Sequence, residues 1–246
     1  MLQWKKQKGA YSRDDSLYSE KDGSVYLELN HISFSYPGCS KPALTDINLS
    51  FRQEGITAVI GPNGCGKTTL TKVMCGILRP GSGEVRLQGQ CLKEFRLAQV
   101  GRRIGYVFQN PGQQLFCSTV EEEIGFGLTN RGEEPALVKE KVDFYLNYFE
   151  LSPHRKAFPL HLSYGEKQRV AIAAVLAGEP GFLILDEPTV GLDNFRKSLL
   201  LKILRKVAEL ARGVVFVSHD AGFIDQAAER VITLENGQVQ CDSMRR

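Results

Sequence analysis

The sequence has few of the residues that build zinc sites and disulfide frameworks. Its 246 residues contain four histidines and six cysteines. The cysteines form no C-x-x-C pair and lie far apart, at Cys39, Cys65, Cys75, Cys91, Cys117 and Cys241. This spacing argues against both a structural zinc and a set of disulfides, and it favours a reducing, cytosolic compartment.

The sequence also lacks long apolar runs and long basic runs. Its longest apolar runs, such as FLIL at 182–185 and VVFV at 214–217, are far shorter than the roughly 20 residues that cross a bilayer. The N-terminus has no apolar core of a signal peptide. The 31 basic and 28 acidic residues leave a net charge of +3, which suggests no nucleic-acid partner. Membrane association would therefore depend on a partner.

The length favours one large domain, or a core with a subdomain, over two independent domains. Residues 1–23 are polar and of mixed charge, and this composition predicts a flexible extension. Residues 24–246 are expected to form the folded domain, with a helical subdomain at about 112–178.

Four short apolar runs predict buried parallel strands. They are TAVI at 57–60, IGYVF at 104–108, FLIL at 182–185 and VVFV at 214–217. Each run is followed by glycine or polar residues: Gly61, Gln109, Asp186 with Glu187, and Ser218 with His219. Because ligands bind beyond the carboxyl ends of strands in open α/β sheets, these residues could converge on one site.

Helical and antiparallel patterns lie around these strands. LVKEKVDFYLNYF has a helical apolar stripe, and EKQRVAIAAVLAG predicts a helix with Gly178 in the left-handed C′ position. TVEE at 119–122 predicts a capping box. VYLELNHISFSY and ALTDINLSF alternate like strands, and LENGQV has an Asn-Gly hairpin signal. The predicted fold is α/β, with a mostly parallel core sheet and an N-terminal antiparallel β section.

A phosphate-binding loop is predicted at residues 61–69. GPNGCGKTT fits the pattern G-x-x-x-x-G-K-[ST] and lies between a predicted strand and a predicted helix. In such a loop the backbone N–H groups surround phosphate oxygens, Lys67 binds the β- and γ-phosphates, and Thr68 offers a hydroxyl to Mg²⁺.

Two further stretches fit nucleotide chemistry. LILDEP places Asp186 at the end of a buried strand, where it could hold Mg²⁺, with Glu187 beside it. Alone, this pair would also fit a solvated loop or a helix cap, but the phosphate loop upstream favours the magnesium site. HLSYGEKQRV resembles a helix start whose Ser163 and Gly165 could bind an anion, and no neighbouring residue supplies that anion.

Together these motifs resemble the ATP-binding cassette (ABC) ATPases, which are P-loop NTPases, over residues 25–240. The matching segments stand in the family's order: the phosphate loop, Gln109, LSYGE, LILDEP, GLD at 191–193 and SHD at 218–220. Three other segments resemble the energy-coupling-factor and cobalt-importer branch, namely FSYPG at 34–38, VFQNPGQQLF at 107–116 and TVEEEIGFGL at 119–128.

The resemblance implies a role for each matching residue. Glu187 would be the general base for the attacking water, His219 and Lys67 would contact the γ-phosphate, and Gln109 would touch Mg²⁺ or the water. Mg²⁺ would be bound by Thr68, Gln109 and Asp186. The residues implied in ATP binding are Tyr36, which would stack on adenine, Gly61, Pro62, Asn63, Gly64, Cys65, Gly66, Lys67, Thr68, Thr69, Ser163, Gly165 and Asp193.

The resemblance further implies an ATP-hydrolysing motor that dimerises around two MgATP and drives uptake through a separate integral membrane subunit. The second ABC ATPase chain could be a copy of this one or a different chain. It would supply the missing anion, because Ser163 would reach the γ-phosphate of the other subunit's ATP. The chain would then lie on the cytoplasmic side of the membrane, with a docking surface near Gln109 and Phe116.

Some features leave other functions open. The family signature usually reads L-S-G-G-Q, whereas Tyr164 and Glu166 fill its third and fifth positions here. A carboxylate near a γ-phosphate would repel it unless it points away. The alternatives are a soluble ABC ATPase acting on nucleic acid, and a nucleotide-binding regulator with weak catalysis. The sequence does not indicate the transported substrate.

Overall fold

A computed structural model describes residues 25–210 and 212–245; the predicted extension at 1–23 lies outside this part of the chain. The strands of the described residues are β1 (Val25–Phe34), β2 (Leu44–Arg52), β3 (Ile56–Ile60), β4 (Ser82–Leu87), β5 (Gln90–Cys91), β6 (Ile104–Val107), β7 (Phe182–Asp186), β8 (Gly213–Val217), β9 (Arg230–Glu235) and β10 (Gln238–Met244). The α-helices are α1 (Lys67–Met74), α2 (Leu97–Arg103), α3 (Val120–Asn130), α4 (Pro135–Tyr148), α5 (Tyr164–Ala177), α6 (Asn194–Glu209) and α7 (Ala221–Ala227).

The strands form two sheets. The smaller sheet has the order β2-β1-β4-β5, and its strand pairs are antiparallel. The larger sheet has the order β10-β9-β3-β8-β7-β6, with parallel pairing from β9 to β6 and an antiparallel pair at β10 and β9. The predicted fold class, with its parallel core and N-terminal antiparallel section, is therefore confirmed.

Both faces of the core sheet are buried, which explains why its strands read as continuous apolar runs. In β7, Leu183 and Leu185 pack into a cluster with α3 to α7, whereas Phe182 and Ile184 pack against α1 and the antiparallel sheet. The side chains of β8 alternate between the same two clusters. All four predicted strands lie side by side in this sheet, and their carboxyl ends form one edge.

Helices α3, α4 and α5 lie between β6 and β7 in the chain and pack on one another. The Tyr145 hydroxyl on α4 donates to the Leu176 carbonyl on α5 at 2.9 Å. Helix α3 begins with the predicted capping box, in which the Thr119 side chain and the Glu122 side chain each accept a backbone N–H of the other residue. These helices occupy the region for which we expect a helical subdomain.

Two chain reversals test the predicted turn residues. Asn236 and Gly237 both have positive φ, at 50° and 75°, and they join β9 to β10 as the Asn-Gly signal predicts. At the end of α5, however, the prediction for Gly178 is wrong. Gly178 has φ −69°, and Glu179 takes the left-handed conformation at φ 51°. Glu179 also forms an ion pair, with its carboxylate 3.0 Å from the Lys141 Nζ.

Among the described residues, no helix combines the length and apolar character of a membrane span.

We predict that Gly105→Ala destabilises the protein by about 1–3 kcal/mol, the usual cost of overpacking a core. An added Cβ would lie 2.4 Å from Val175 Cγ1 and 2.8 Å from Pro180 Cγ. The matched control is Gly101→Ala in α2, where nothing lies within 4 Å of the new Cβ; it should stabilise by up to about 1 kcal/mol. Denaturant unfolding measures both, and equal effects would contradict the packing described here.

Candidate functional site

A cavity of about 640 Å³ opens at the carboxyl edge of the core sheet. Ten of the predicted site residues line it: Tyr36, Asn63, Gly64, Gly66, Lys67, Thr68, Thr69, Gln109, Glu187 and His219. Four others adjoin lining residues in the chain without lining the cavity themselves, namely Gly61, Pro62, Cys65 and Asp186. Ser163, Gly165 and Asp193 do not line this cavity. The fold therefore brings most of the predicted residues together at this cavity, whereas Ser163, Gly165 and Asp193 lie outside its lining.

The loop between β3 and α1 has the shape that a phosphate cradle requires. Gly61 and Gly66 adopt positive φ angles of 146° and 106°. A Cβ on Gly61 would lie 2.0 Å from the Leu234 carbonyl oxygen, so only glycine fits there. The Lys67 Nζ donates to the carbonyl oxygens of Gly61 and Pro62, both at 2.9 Å. The loop thus curls around its own lysine.

Cys65 makes its contact in this loop through its backbone carbonyl, and its thiol is buried. Its side chain is 5% exposed and belongs to the apolar cluster beneath the loop. Its carbonyl accepts the Gly237 N–H at 3.0 Å. The predicted hairpin turn at Asn236 and Gly237 is thereby fixed against the phosphate loop, and both turn residues line the cavity.

The carboxylate of Asp186 is a group that could bind a magnesium ion. It is 2% exposed, and the hydroxyl of Tyr106 lies 3.4 Å from its Oδ2. Its Oδ1 is buried and has no hydrogen-bond partner among the described residues. Burial raises the pKa of this carboxyl, and hydrogen bonds from Thr68 and Tyr106 oppose the shift. The described residues hold no cluster of three histidine, cysteine or acidic groups that could bind a metal ion.

Glu187 is held in a conformation that costs backbone energy. Its φ is 50°, which is uncommon for a residue other than glycine, and its N–H donates to the Val217 carbonyl at 3.0 Å. This bond extends the β7 and β8 pairing by one residue and aims the side chain into the cavity. The His219 Nε2 lies 3.2 Å from the Glu187 Oε1. Burial raises the pKa of Glu187, while the nearby His219 and Lys67 oppose that shift.

Tyr36 lines the cavity as predicted, and several residues around it are not among the predicted site residues. Tyr36 meets Phe34 edge to face, and its hydroxyl lies 3.1 Å from the Thr69 Oγ1. Around it the lining also includes Cys39, Lys41, Pro42, Ala43, Asn236 and Gly237. Lys41 places a second cation at the cavity. The loop residues Cys39, Lys41, Pro42 and Ala43 carry no motif. The Asn-Gly signal predicts the hairpin at Asn236 and Gly237 but not its place at the cavity.

The signature helix α5 begins as predicted, at Ser163. The Ser163 side chain accepts the Glu166 N–H, and the Glu166 carboxylate accepts the Ser163 N–H at 2.8 Å and the Ser163 hydroxyl at 2.6 Å. The other carboxylate oxygen lies 3.1 Å from His154 Nε2. Hydrogen bonds from Ser163 lower the pKa of Glu166. This carboxylate is thus bound within its own chain, by Ser163 and His154.

Asp193 caps another helix. Its Oδ1 accepts the Arg196 N–H at 2.8 Å, and its Oδ2 lies 3.3 Å from the Arg196 guanidinium. Asp193 therefore fixes the start of α6, just after the turn at Gly191.

The comparison with protein families decides the identity of the fold. The model of the family described as ABC transporter matches residues 44–190, more than half of the chain. This chain belongs to the ABC transporter family. The match spans the phosphate loop, the signature helix and β7, so this chain is an ABC transporter ATPase whose phosphate loop lines the cavity.

Individual relatives agree with this assignment. The energy-coupling factor transporter ATP-binding protein EcfA of Methanothermobacter thermautotrophicus is 41% identical over 215 residues, which cover 87% of this chain and 69% of EcfA. The structure of CbiO1 from Clostridium perfringens, part of the ABC transporter complex CbiONQ, matches 90% of this chain and 89% of its own at 33% identity and a TM-score of 0.79. The predicted resemblance to the energy-coupling-factor and cobalt-importer branch is thus confirmed.

A third comparison concerns a cassette with nucleotide products. The dimeric, post-hydrolysis structure of the ATP-binding cassette MJ0796, bound to ADP and phosphate, covers 89% of this ABC chain and 99% of its own. The identity is 26% and the TM-score is 0.81.

We predict that Lys67→Ala weakens ATP binding by at least about 10-fold and abolishes ATP turnover. The variant removes the one cation that stands within the phosphate loop, where charge-assisted bonds to phosphate are strong. Lys202→Ala is the control, because Lys202 is exposed on α6 and should leave both quantities unchanged. Nucleotide titration and a phosphate-release assay measure them. Wild-type turnover by Lys67→Ala would contradict the assignment of the loop.

Proposed function

We propose that this ABC protein hydrolyses MgATP in the cavity at the carboxyl edge of its core sheet. The observation that supports the proposal most strongly is the convergence of Lys67, Glu187 and His219 on one cavity. The backbone of the phosphate loop and Lys67 bind the β- and γ-phosphates. The ring of Tyr36, exposed by 39% at the cavity, stacks on the adenine.

The metal would be held by Asp186, the Thr68 hydroxyl and Gln109, of which Thr68 and Gln109 line the cavity. The buried, unpartnered Oδ1 of Asp186 supports this assignment, since a buried carboxylate oxygen needs a partner. When bound, Mg²⁺ neutralises charge on the β- and γ-phosphates. Glu187 accepts a proton from the attacking water at its carboxylate, and His219 holds the γ-phosphate beside it.

A second chain completes each site. Ser163 and Gly165 lie outside the cavity of their own chain, although they present a helix N-terminus that suits a phosphate. Within one chain, the phosphate loop lines the cavity, whereas the signature residues Ser163 and Gly165 lie outside its lining. Two copies placed head to tail would make two complete sites around two ATP molecules, with Asp193 near the seam.

The motor would act on an integral membrane subunit at the cytoplasmic side. The aromatic pair Phe116 and Phe126 supports this role. The two rings meet edge to face, with their centroids 4.6 Å apart, and they are exposed by 62% and 40%. They follow Gln109 in the chain and offer an exposed apolar surface on which a helix of the membrane subunit would dock.

Mixing two inactive variants tests the shared site. Lys67→Ala disables the pocket, and Ser163→Arg places bulk where the γ-phosphate must approach. In a mixed dimer, intact Lys67 of one chain faces intact Ser163 of the other, so one composite site is whole. We predict that ATPase activity returns on mixing, once labelling shows that the subunits have exchanged.

Two controls make the result decisive. Lys67→Ala mixed with Glu187→Gln should recover nothing, because both changes damage the pocket and no composite site is whole. Wild type mixed with Lys67→Ala shows whether a dimer with one whole site can turn over. If that dimer is active and the Lys67→Ala and Ser163→Arg pair remains inactive, the shared-site proposal is wrong.

A further inference from the structure

Tyr164, which departs from the family signature, connects the signature helix to the loop at Gln109. It is the first residue of α5, directly after the cap at Ser163. Its hydroxyl donates to the Gln109 backbone carbonyl at 2.7 Å. Because the bond uses the backbone, the Gln109 side chain still lines the ATP cavity. A glycine at this position could make no such bond.

The ring of Tyr164 also contacts the turn that follows β7. A Cβ on Gly191 would lie 2.9 Å from Cδ1 and 3.2 Å from Cε1 of the tyrosine ring. Gly191 also has a φ of 73°. This position therefore requires glycine both for its backbone conformation and for its close contact with the ring. One side chain therefore contacts two segments that come from the edge of the sheet where ATP binds.

A second residue of α5 makes a parallel connection. Gln168 lies about one turn after Tyr164, is 2% exposed, and donates its side-chain N–H to the carbonyl of Pro188. Pro188 follows Glu187 directly. The start of α5 is thus attached to the segments that carry Gln109, Glu187 and Gly191, all within one chain.

We propose that Tyr164 is a positioning residue that transmits the state of a chain's own ATP site to the signature it offers to the other chain. Gln109 contacts the nucleotide of its own cavity, and its carbonyl holds the phenol at the start of α5. A shift of the Gln109 loop therefore moves the adjacent Ser163. This inference rests on the proposed function, in which Ser163 serves the ATP of the second chain.

The test is Tyr164→Phe, which keeps the ring on Gly191 and removes only the hydrogen bond to Gln109. We expect ATP-driven dimerisation, measured in the slowly hydrolysing Glu187→Gln background, to weaken by about 3- to 10-fold, the usual worth of one hydrogen bond. In the otherwise wild-type protein, kcat should fall by a similar factor. Nucleotide affinity at protein concentrations below dimerisation should change by less than about 2-fold, because the variant leaves the cavity intact.

The matched control is Tyr26→Phe. The Tyr26 hydroxyl also donates to a backbone carbonyl, that of Arg103 at 3.1 Å, and its ring stacks on Phe182, at the opposite end of β7 from Asp186. This variant loses the same kind of bond away from the ATP site. Its dimerisation and kcat should equal those of the wild type.

Three results would overturn the inference. The first is wild-type dimerisation and kcat in Tyr164→Phe. The second is an equal loss of single-chain nucleotide affinity or of thermal stability, because Tyr164 would then support the fold rather than transmit a signal. The third is failure of the Glu187→Gln protein itself to dimerise with MgATP, which would reject the proposed dimer together with this inference.

Discussion

The candidate ATP site depends on one constraint, the alignment of four parallel strands that end at the same edge of one sheet. Strands β3, β8, β7 and β6 are direct neighbours, and the residues that follow them are the phosphate loop, His219, Glu187 and Gln109. Since parallel strands point the same way, these polar groups all lie at one edge of the sheet. The apolar clusters on both faces pack against the strands. The packing of the core therefore fixes the geometry of the site.

This alignment also accounts for two unfavourable features of the site. Asp186 is buried with one oxygen unpartnered, and Glu187 sits in a left-handed conformation. Each costs on the order of 1–3 kcal/mol. The paired strands β7 and β8 hold both residues in place, because Asp186 is in register with Val217 and Glu187 bonds to it. In the proposed function these costs are offset when a cation and a phosphate enter the cavity.

Much of this arrangement could be predicted from the sequence because it depends on local patterns. Apolar runs predict the buried strands, the glycines of residues 61–66 predict the phosphate loop, and Asn236 with Gly237 predicts the hairpin. The end of α5 differs from the prediction, because Glu179 rather than Gly178 takes the left-handed conformation; Glu179 also pairs with Lys141, which is distant in the chain. The bond from the Tyr164 hydroxyl to the Gln109 carbonyl was missed because it joins residues 55 positions apart.

The signature helix is the part of the fold whose purpose a single chain does not explain. Its first turn is bound firmly to the ATP-site segments of its own chain, yet Ser163 and Gly165 do not line that site. Within the proposed function, α5 contacts the segments around the ATP of its own chain, while its N-terminus contacts the ATP of the other chain.

The most direct test of this account is an experimental structure of the Glu187→Gln protein with MgATP. We predict a head-to-tail dimer in which the Ser163 hydroxyl of each subunit lies within about 3.5 Å, hydrogen-bond reach, of the γ-phosphate held by Lys67 of the other subunit. A structure in which each ATP contacts one chain alone, with Ser163 distant from every phosphate, would contradict the account.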